Sequence, residues 1–218
     1  MTSGILEWKH LKKSFQGKTV LDVEHVVLQK GKRYVIIGEN GAGKSTLLKI
    51  LAGVMKTEGK EKQKRPDCKI LYMPQKPYIF NMSVMDNMKR TAKKKNVEEF
   101  ERILEQLDIK ELKNNQANSM SGGEKQRLAF GRILAQSCEL LLLDEPASAM
   151  DVKGTLLFEQ VLKEYQKEQG CTLVMVTHDI EQAKRIADQI IFIKEGKLGI
   201  GEDYKEHFSD IDEIFFYI

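Results

Sequence analysis

"RYVIIGENGAGKSTLLKILAG", residues 33–53, decides how the chain folds. It opens on a short apolar, β-branched run, "RYVIIG" (33–38), which reads as a buried strand ending in glycine. It closes on "KSTLLKILAG" (44–53), which reads as a helix stopped by Gly53. Between them "GENGAGKST" (38–46) fits G-x-x-x-x-G-K-[ST] in the strand–loop–helix setting that this pattern requires. Gly38, Gly41 and Gly43 let the backbone curl so that successive N–H groups face phosphate oxygens. Glu39, Asn40, Ala42 and Thr46 complete the predicted nucleotide-binding run. The helix beginning at Lys44 adds its positive end. Lys44 brings a charge to the β- and γ-phosphates, and the Ser45 hydroxyl suits Mg²⁺.

Working outward, "ELLLLDEP" (139–146) reads as a second buried strand that ends in two carboxylates. Ligands gather at the carboxyl ends of strands in α/β sheets, so Asp144 is a candidate metal residue and Glu145 a candidate base for the attacking water. "CKILYMPQKP" (68–77) and "CTLVMVTHD" (171–179) read as further strands, the latter placing His178 at its end. "QIIFIKEGKLGIG" (189–201) reads as a hairpin turning at Glu195-Gly196. Residues 84–135 turn helical, with Phe100, Ile103, Leu104 and Leu107 on one stripe, and 155–169 form an amphipathic helix ended by Gly170. "MSGGEKQRLAF" (120–130) contains a capping box, Ser121 to Glu124, with a glycine pair at the start of a helix. Such a terminus is suited to an anion, and the glycines are expected to permit close approach.

The bulk composition is that of an ordinary globular protein: 218 residues, 41% hydrophobic and 31% charged, with a net charge of +3. That charge is too weak to indicate nucleic-acid binding. Cys68, Cys138 and Cys171 are few and far apart, which suits reduced thiols in a cytosolic setting. The start, "MTSGILEWKHLKK", has no apolar core of a secretion signal, and no run approaches a membrane span. Two basic stretches, 56–66 and 89–95, read as solvated faces or as docking surfaces for acidic partners or lipid headgroups.

Taken together and in this order, the segments resemble the ATP-binding cassette (ABC) ATPases. "GENGAGKS" looks like their Walker A, "LLLLDE" like Walker B, and "MSGGE" like the LSGGQ signature. Gln75 matches the Q-loop, "SAMD" (148–151) with Asp151 the D-loop, His178 the switch histidine, and Phe15 the aromatic that stacks on adenine. The resemblance implies an α/β fold: a P-loop NTPase core with a small antiparallel β-lobe and an inserted α-helical subdomain. Its implied layout is a single domain over 1–218, with core segments at about 1–76 and 136–218 and the helical subdomain at about 77–135. It further implies ATP and Mg²⁺ as ligands, with Ser45, Gln75 and Asp144 at the metal and Lys44, Gln75, Glu145 and His178 in catalysis.

In the family, two cassettes pair head to tail. Ser121, Gly122, Gly123 and Glu124 would then meet the γ-phosphate held by a second ABC subunit, the same chain or a different one. Glu124 stands where glutamine is usual, and capping-box geometry turns it back onto its own helix. Only 31 positions separate Lys44 from Gln75, which suggests a trimmed β-lobe. The leading reading is the ATP-hydrolysing subunit of a membrane transporter, peripheral on the cytoplasmic face, with separate transmembrane permease subunits docking near Tyr78, Ile79, Phe80, Met82 and Met85. Importer-like compactness adds an extracytoplasmic solute-binding protein to the partners; nucleic acid is not among them. The rival is a soluble ABC ATPase such as an iron–sulfur assembly factor. The tail "DIDEIFFYI" reads either as a packed helix or as an apolar patch awaiting a partner.

Overall fold

The computed structural model describes residues 5–58, 67–92 and 95–200, so the tail, most of the first basic stretch and residues 93–94 of the second lie outside the described residues. The chain starts with two long antiparallel strands, β1 (Ile5–Phe15) and β2 (Lys18–Gln29). Their hairpin turns through Gln16 and Gly17, both at positive φ (50° and 80°), the backbone signature of a tight two-residue turn. This pair is the small antiparallel lobe, formed by the first thirty residues. The pairing slips by one residue between Lys13 and Ser14.

A six-stranded sheet follows, in the order β4-β5-β6-β3-β7-β8. Its members are β3 (Arg33–Ile37), β4 (Ile70–Met73), β5 (Leu140–Asp144), β6 (Thr172–Val176), β7 (Gln189–Lys194) and β8 (Lys197–Ile200). β3 pairs in parallel with β6 and β7, and β5 in parallel with β6. Every residue of β5 and β6 is buried, which explains why both read as uninterrupted apolar runs rather than alternating ones. β7 and β8 form the expected hairpin, with Glu195 and Gly196 both at positive φ in its turn. Helix α1 (Lys44–Leu51) packs against β1, β2 and β5 through Leu47, Leu48, Ile50 and Leu51. The core of this part runs from Trp8 and Leu11 through Ile36 and Leu48 to Leu142, Val174 and Ile191.

The other elements are α2 (Val84–Lys89), α3 (Val97–Gln106), α4 (Gly122–Leu134), α5 (Val152–Gln169) and α6 (Ile180–Ile186). α3 starts in a capping box between Asn96 and Glu99, and its predicted stripe Phe100, Ile103, Leu104 and Leu107 is buried. α5 starts three residues before the predicted 155, because Asp151 caps it by accepting a hydrogen bond from the Gly154 amide. It ends as expected at Gly170, in left-handed conformation.

The chain divides into two compact units. Of the described residues, one holds 5–58, 67–72, 140–144 and 171–200, with the two sheets apart from the last residue of β4, and with α1 and α6. The other holds 73–139 and 145–170, with α2 to α5. The expected α/β class, with a P-loop core, an antiparallel lobe and a helical part, is the fold observed.

Candidate nucleotide site

The first unit builds the glycine loop against its own sheets. A Cβ on Gly43, whose φ is 106°, would lie 2.6 Å from the Val20 carbonyl oxygen, so this residue has to be glycine for the loop to sit on β2. The β7–β8 turn holds the loop from another side. The Gly196 amide donates to the Ala42 carbonyl at 3.0 Å, and the Gly196 carbonyl accepts from the Asp22 amide at 2.9 Å. Turning the Ala42 carbonyl toward Gly196 commits that peptide's orientation, which is what a cradle of inward-facing N–H groups requires. The local sequence marks Gly196 as a turn residue but not as a support of the glycine loop; that role comes from a contact 154 residues away.

Lys44 is buried, and its ammonium donates to the Gly38 and Glu39 carbonyls at 2.6 and 2.8 Å. Glu39, Asn40 and Gly41 are exposed at the crown of the loop, while Ala42 and Gly43 are buried and Thr46 is partly so. In the first turn of α1, the Ser45 hydroxyl donates to Asp144 Oδ1 at 2.9 Å. Tyr72, on neighbouring β4, donates to Asp144 Oδ2 at 3.5 Å. Burial, then the adjacent Asp144 charge, pushes the Tyr72 phenol well above the ordinary range, so it stays a neutral donor. The sequence reading missed Tyr72; its proximity to Asp144 follows from strand order, which no local pattern reports.

A hydroxyl and a buried carboxylate side by side, both oxygen donors, fit a hard divalent cation that takes its remaining ligands from phosphates and water. Among the described residues no cluster of three or more acidic, histidine or cysteine side chains could hold a metal by itself. Phe15 ends β1 and is 45% exposed, with the Lys13 ammonium 5.5 Å from its ring centroid. His178 lies exposed between β6 and α6.

The second unit holds the remaining predicted residues. Glu145 sits at φ 46°, a left-handed conformation unusual for a residue with a side chain. Strain of this kind collects at functional positions. Gln75 donates its amide N–H to Glu145 Oε2 at 2.8 Å. At the start of α4 the capping box is complete: Glu124 Oε2 accepts from the Ser121 amide at 2.7 Å, and Ser121 Oγ accepts from the Glu124 amide at 3.3 Å. Glu124 therefore turns back onto its own helix, as the spacing suggested.

The glycine pair has a reason that the sequence did not disclose. A Cβ on Gly123 would lie 2.9 Å from the Ala149 carbonyl oxygen, and one on Gly122 would lie 3.2 Å from the Ala149 side chain. The helix start is packed on the segment before Asp151. Buried Gln126 ties the same two pieces together, donating to Ser148 Oγ at 3.0 Å and accepting from the Ala149 amide at 2.9 Å. Near the predicted permease face, Met85 is buried while Tyr78 is 72% exposed. The Arg90 and Arg132 guanidinium groups lie over the Phe80 ring, at 4.8 and 4.9 Å from its centroid.

With this geometry established, comparison with known proteins is informative. The ABC transporter family matches residues 21–148. The tungstate uptake system ATP-binding protein TupC of Peptoclostridium acidaminophilum is 35% identical over 207 residues, covering 89% of this chain and 97% of that protein. The lantibiotic transport ATP-binding protein SrtF of Streptococcus pyogenes is 34% identical over 221 residues, covering 97% and 96%. Among solved structures, an inward-facing conformation of a metal-chelate type ABC transporter superposes with a TM-score of 0.76 at 27% identity, over 97% of this chain and 90% of that one. No helix among the described residues is long and apolar enough to cross a membrane. With the family match over residues 21–148 and relatives aligned along most of the chain, the glycine loop and the Ser–Asp pair at its foot find their explanation: the chain belongs to the ABC transporter family, as an ATP-binding and ATP-hydrolysing subunit.

Proposed function

We propose that this chain drives solute transport through separate permease subunits by closing on ATP as a head-to-tail dimer and reopening after hydrolysis. The observation that carries the reading is the Ser45–Asp144 hydrogen bond at 2.9 Å, which joins the glycine-loop helix to the end of β5. Lys44 neutralises the β- and γ-phosphates, and the loop amides from Gly38 to Thr46 hold their oxygens. Ser45, with Asp144 and Gln75, would hold Mg²⁺, which when bound would offset negative charge on the phosphates. Glu145 orients and deprotonates the attacking water, and Gln75 holds the Glu145 carboxylate in place. His178 contacts the γ-phosphate side, Phe15 stacks on adenine, and Asp151 stands at the dimer seam.

Ser121 and the amides of Gly122 and Gly123 seal the nucleotide bound by the second subunit. The Ser121 hydroxyl oxygen already accepts from Glu124, so its proton is the part free to donate to a phosphate oxygen. The subunit works on the cytoplasmic face, docked to the permease. The match to TupC, an uptake-system protein, supports an importer with an extracytoplasmic solute-binding partner. The transport proteins among the relatives weigh against the iron–sulfur assembly alternative.

The test is Glu145→Gln. Removing the base should lower steady-state hydrolysis by about 10²-fold or more while ATP binding persists. Undiminished turnover would remove Glu145 from the reaction.

A further inference from the structure

The segment following α1 returns to the β1–β2 hairpin. Val54 and Met55 both donate their amides to the Lys49 carbonyl, which fixes the chain as it leaves the helix. Three residues on, the Glu58 amide donates to the Lys12 carbonyl at 2.8 Å. The Glu58 carboxylate then takes both polar groups of Ser14: the amide donates to Oε1 at 2.7 Å and the hydroxyl to Oε2 at 3.0 Å. Ser14 lies where the strand pairing slips, and Phe15 is the next residue, before the tight Gln16-Gly17 turn. Glu58 itself is exposed and touches no part of the glycine loop in these bonds, so it is no phosphate ligand.

We propose that Glu58 is a positioning residue for the nucleotide base, clasping Ser14 so that Phe15 presents its ring at a fixed distance from the phosphate-binding helix. This rests on the reading of Phe15 as the adenine platform. A two-stranded hairpin is marginal alone, and its tip is where fraying begins. Two of the three bonds end on a carboxylate and are correspondingly strong. Ser14's amide and hydroxyl also hold the Glu58 carboxyl below the usual carboxylate range, so the acceptor is ionised at neutral pH. Because the same stretch of chain begins at Lys44 and ends at this clasp, base platform and phosphate loop are tied into one frame.

The experiment is calorimetric titration of the full chain with Mg-ATP and, separately, Mg-tripolyphosphate, which has the phosphates but no base. Glu58→Ala should weaken ATP about five- to tenfold, within what base–aromatic stacking supplies, and leave tripolyphosphate unchanged. Glu58→Gln keeps one acceptor oxygen for the Ser14 amide and should fall between the two. Phe15→Ala is the reference for complete loss of the platform. Weakening by Phe15→Ala but not by Glu58→Ala overturns the clasp and leaves the platform standing. Equal weakening of both ligands by Glu58→Ala reduces it to general destabilisation and also overturns it. No effect of Phe15→Ala on ATP removes the platform, and the clasp with it.

Discussion

Gly123→Ala separates two explanations of the glycine pair by the sign of its effect. Were Gly123 present only to let a phosphate approach, the nucleotide-free protein should tolerate alanine or gain from it, since alanine is better than glycine in a helix by about 1 kcal/mol. The structure predicts the opposite. The new Cβ would lie 2.9 Å from the Ala149 carbonyl oxygen and 3.4 Å from Met150 Cα, both backbone atoms that cannot swing aside. Overpacking of this kind costs about 1–3 kcal/mol, which after subtraction of the propensity gain leaves a net loss of up to about 2 kcal/mol. For a chain of this size that is a drop of up to roughly 8 °C in the melting temperature without nucleotide. Gly122→Ala is the milder comparison, because its Cβ meets only the Ala149 methyl at 3.2 Å, a contact relieved by a small shift, and its loss should be smaller than that of Gly123→Ala. Thermal denaturation followed by circular dichroism reads both. A Gly123→Ala melting temperature at or above wild type would refute the packing argument.

Other consequences follow from the same contacts. Gln126→Leu removes two hydrogen bonds, to Ser148 and to the Ala149 amide, so unfolding stability should fall by about 1–3 kcal/mol in urea titration; a change under about 0.5 kcal/mol would contradict the assigned bonds. Asp188 is held below the usual carboxylate range chiefly by its hydrogen bond to the Arg33 side chain. A depressed folded pKa adds stability above the unfolded value of 3.8 that disappears as pH falls through the folded value. Asp188→Asn should therefore be less stable than wild type by about 0.5–1 kcal/mol at pH 7, after allowance for solvent screening, and the two should converge under strongly acidic conditions. A gap that persists or widens on acidification would show that the ion pair is not its source.

Local chemistry made most of the site legible. The strand–loop–helix at 33–53, the capping box at Ser121 and the all-apolar strand before Asp144 each announce themselves within ten or twenty residues. β1 did not, because His10 at φ 53° breaks its alternation: Leu6 and Trp8 are buried, and the next inward residue is Leu11. The contacts that explain the loops were illegible for another reason. Glu58 with Lys12, Gly196 with Ala42 and Gly123 with Ala149 meet across the sequence, through backbone atoms that every residue carries. No pattern of residue types encodes which carbonyl a glycine must avoid. The left-handed Glu145 is similar, since a strained backbone leaves no mark on composition.

Light scattering on Glu145→Gln with and without Mg-ATP, alone and combined with Ser121→Arg, tests the central claim most directly. The account predicts a doubling of mass with ATP in the single variant. The double variant should stay monomeric at an unchanged ATP affinity per chain. A single variant that stays monomeric at saturating ATP, or a double variant that pairs as well as the single one, would contradict it.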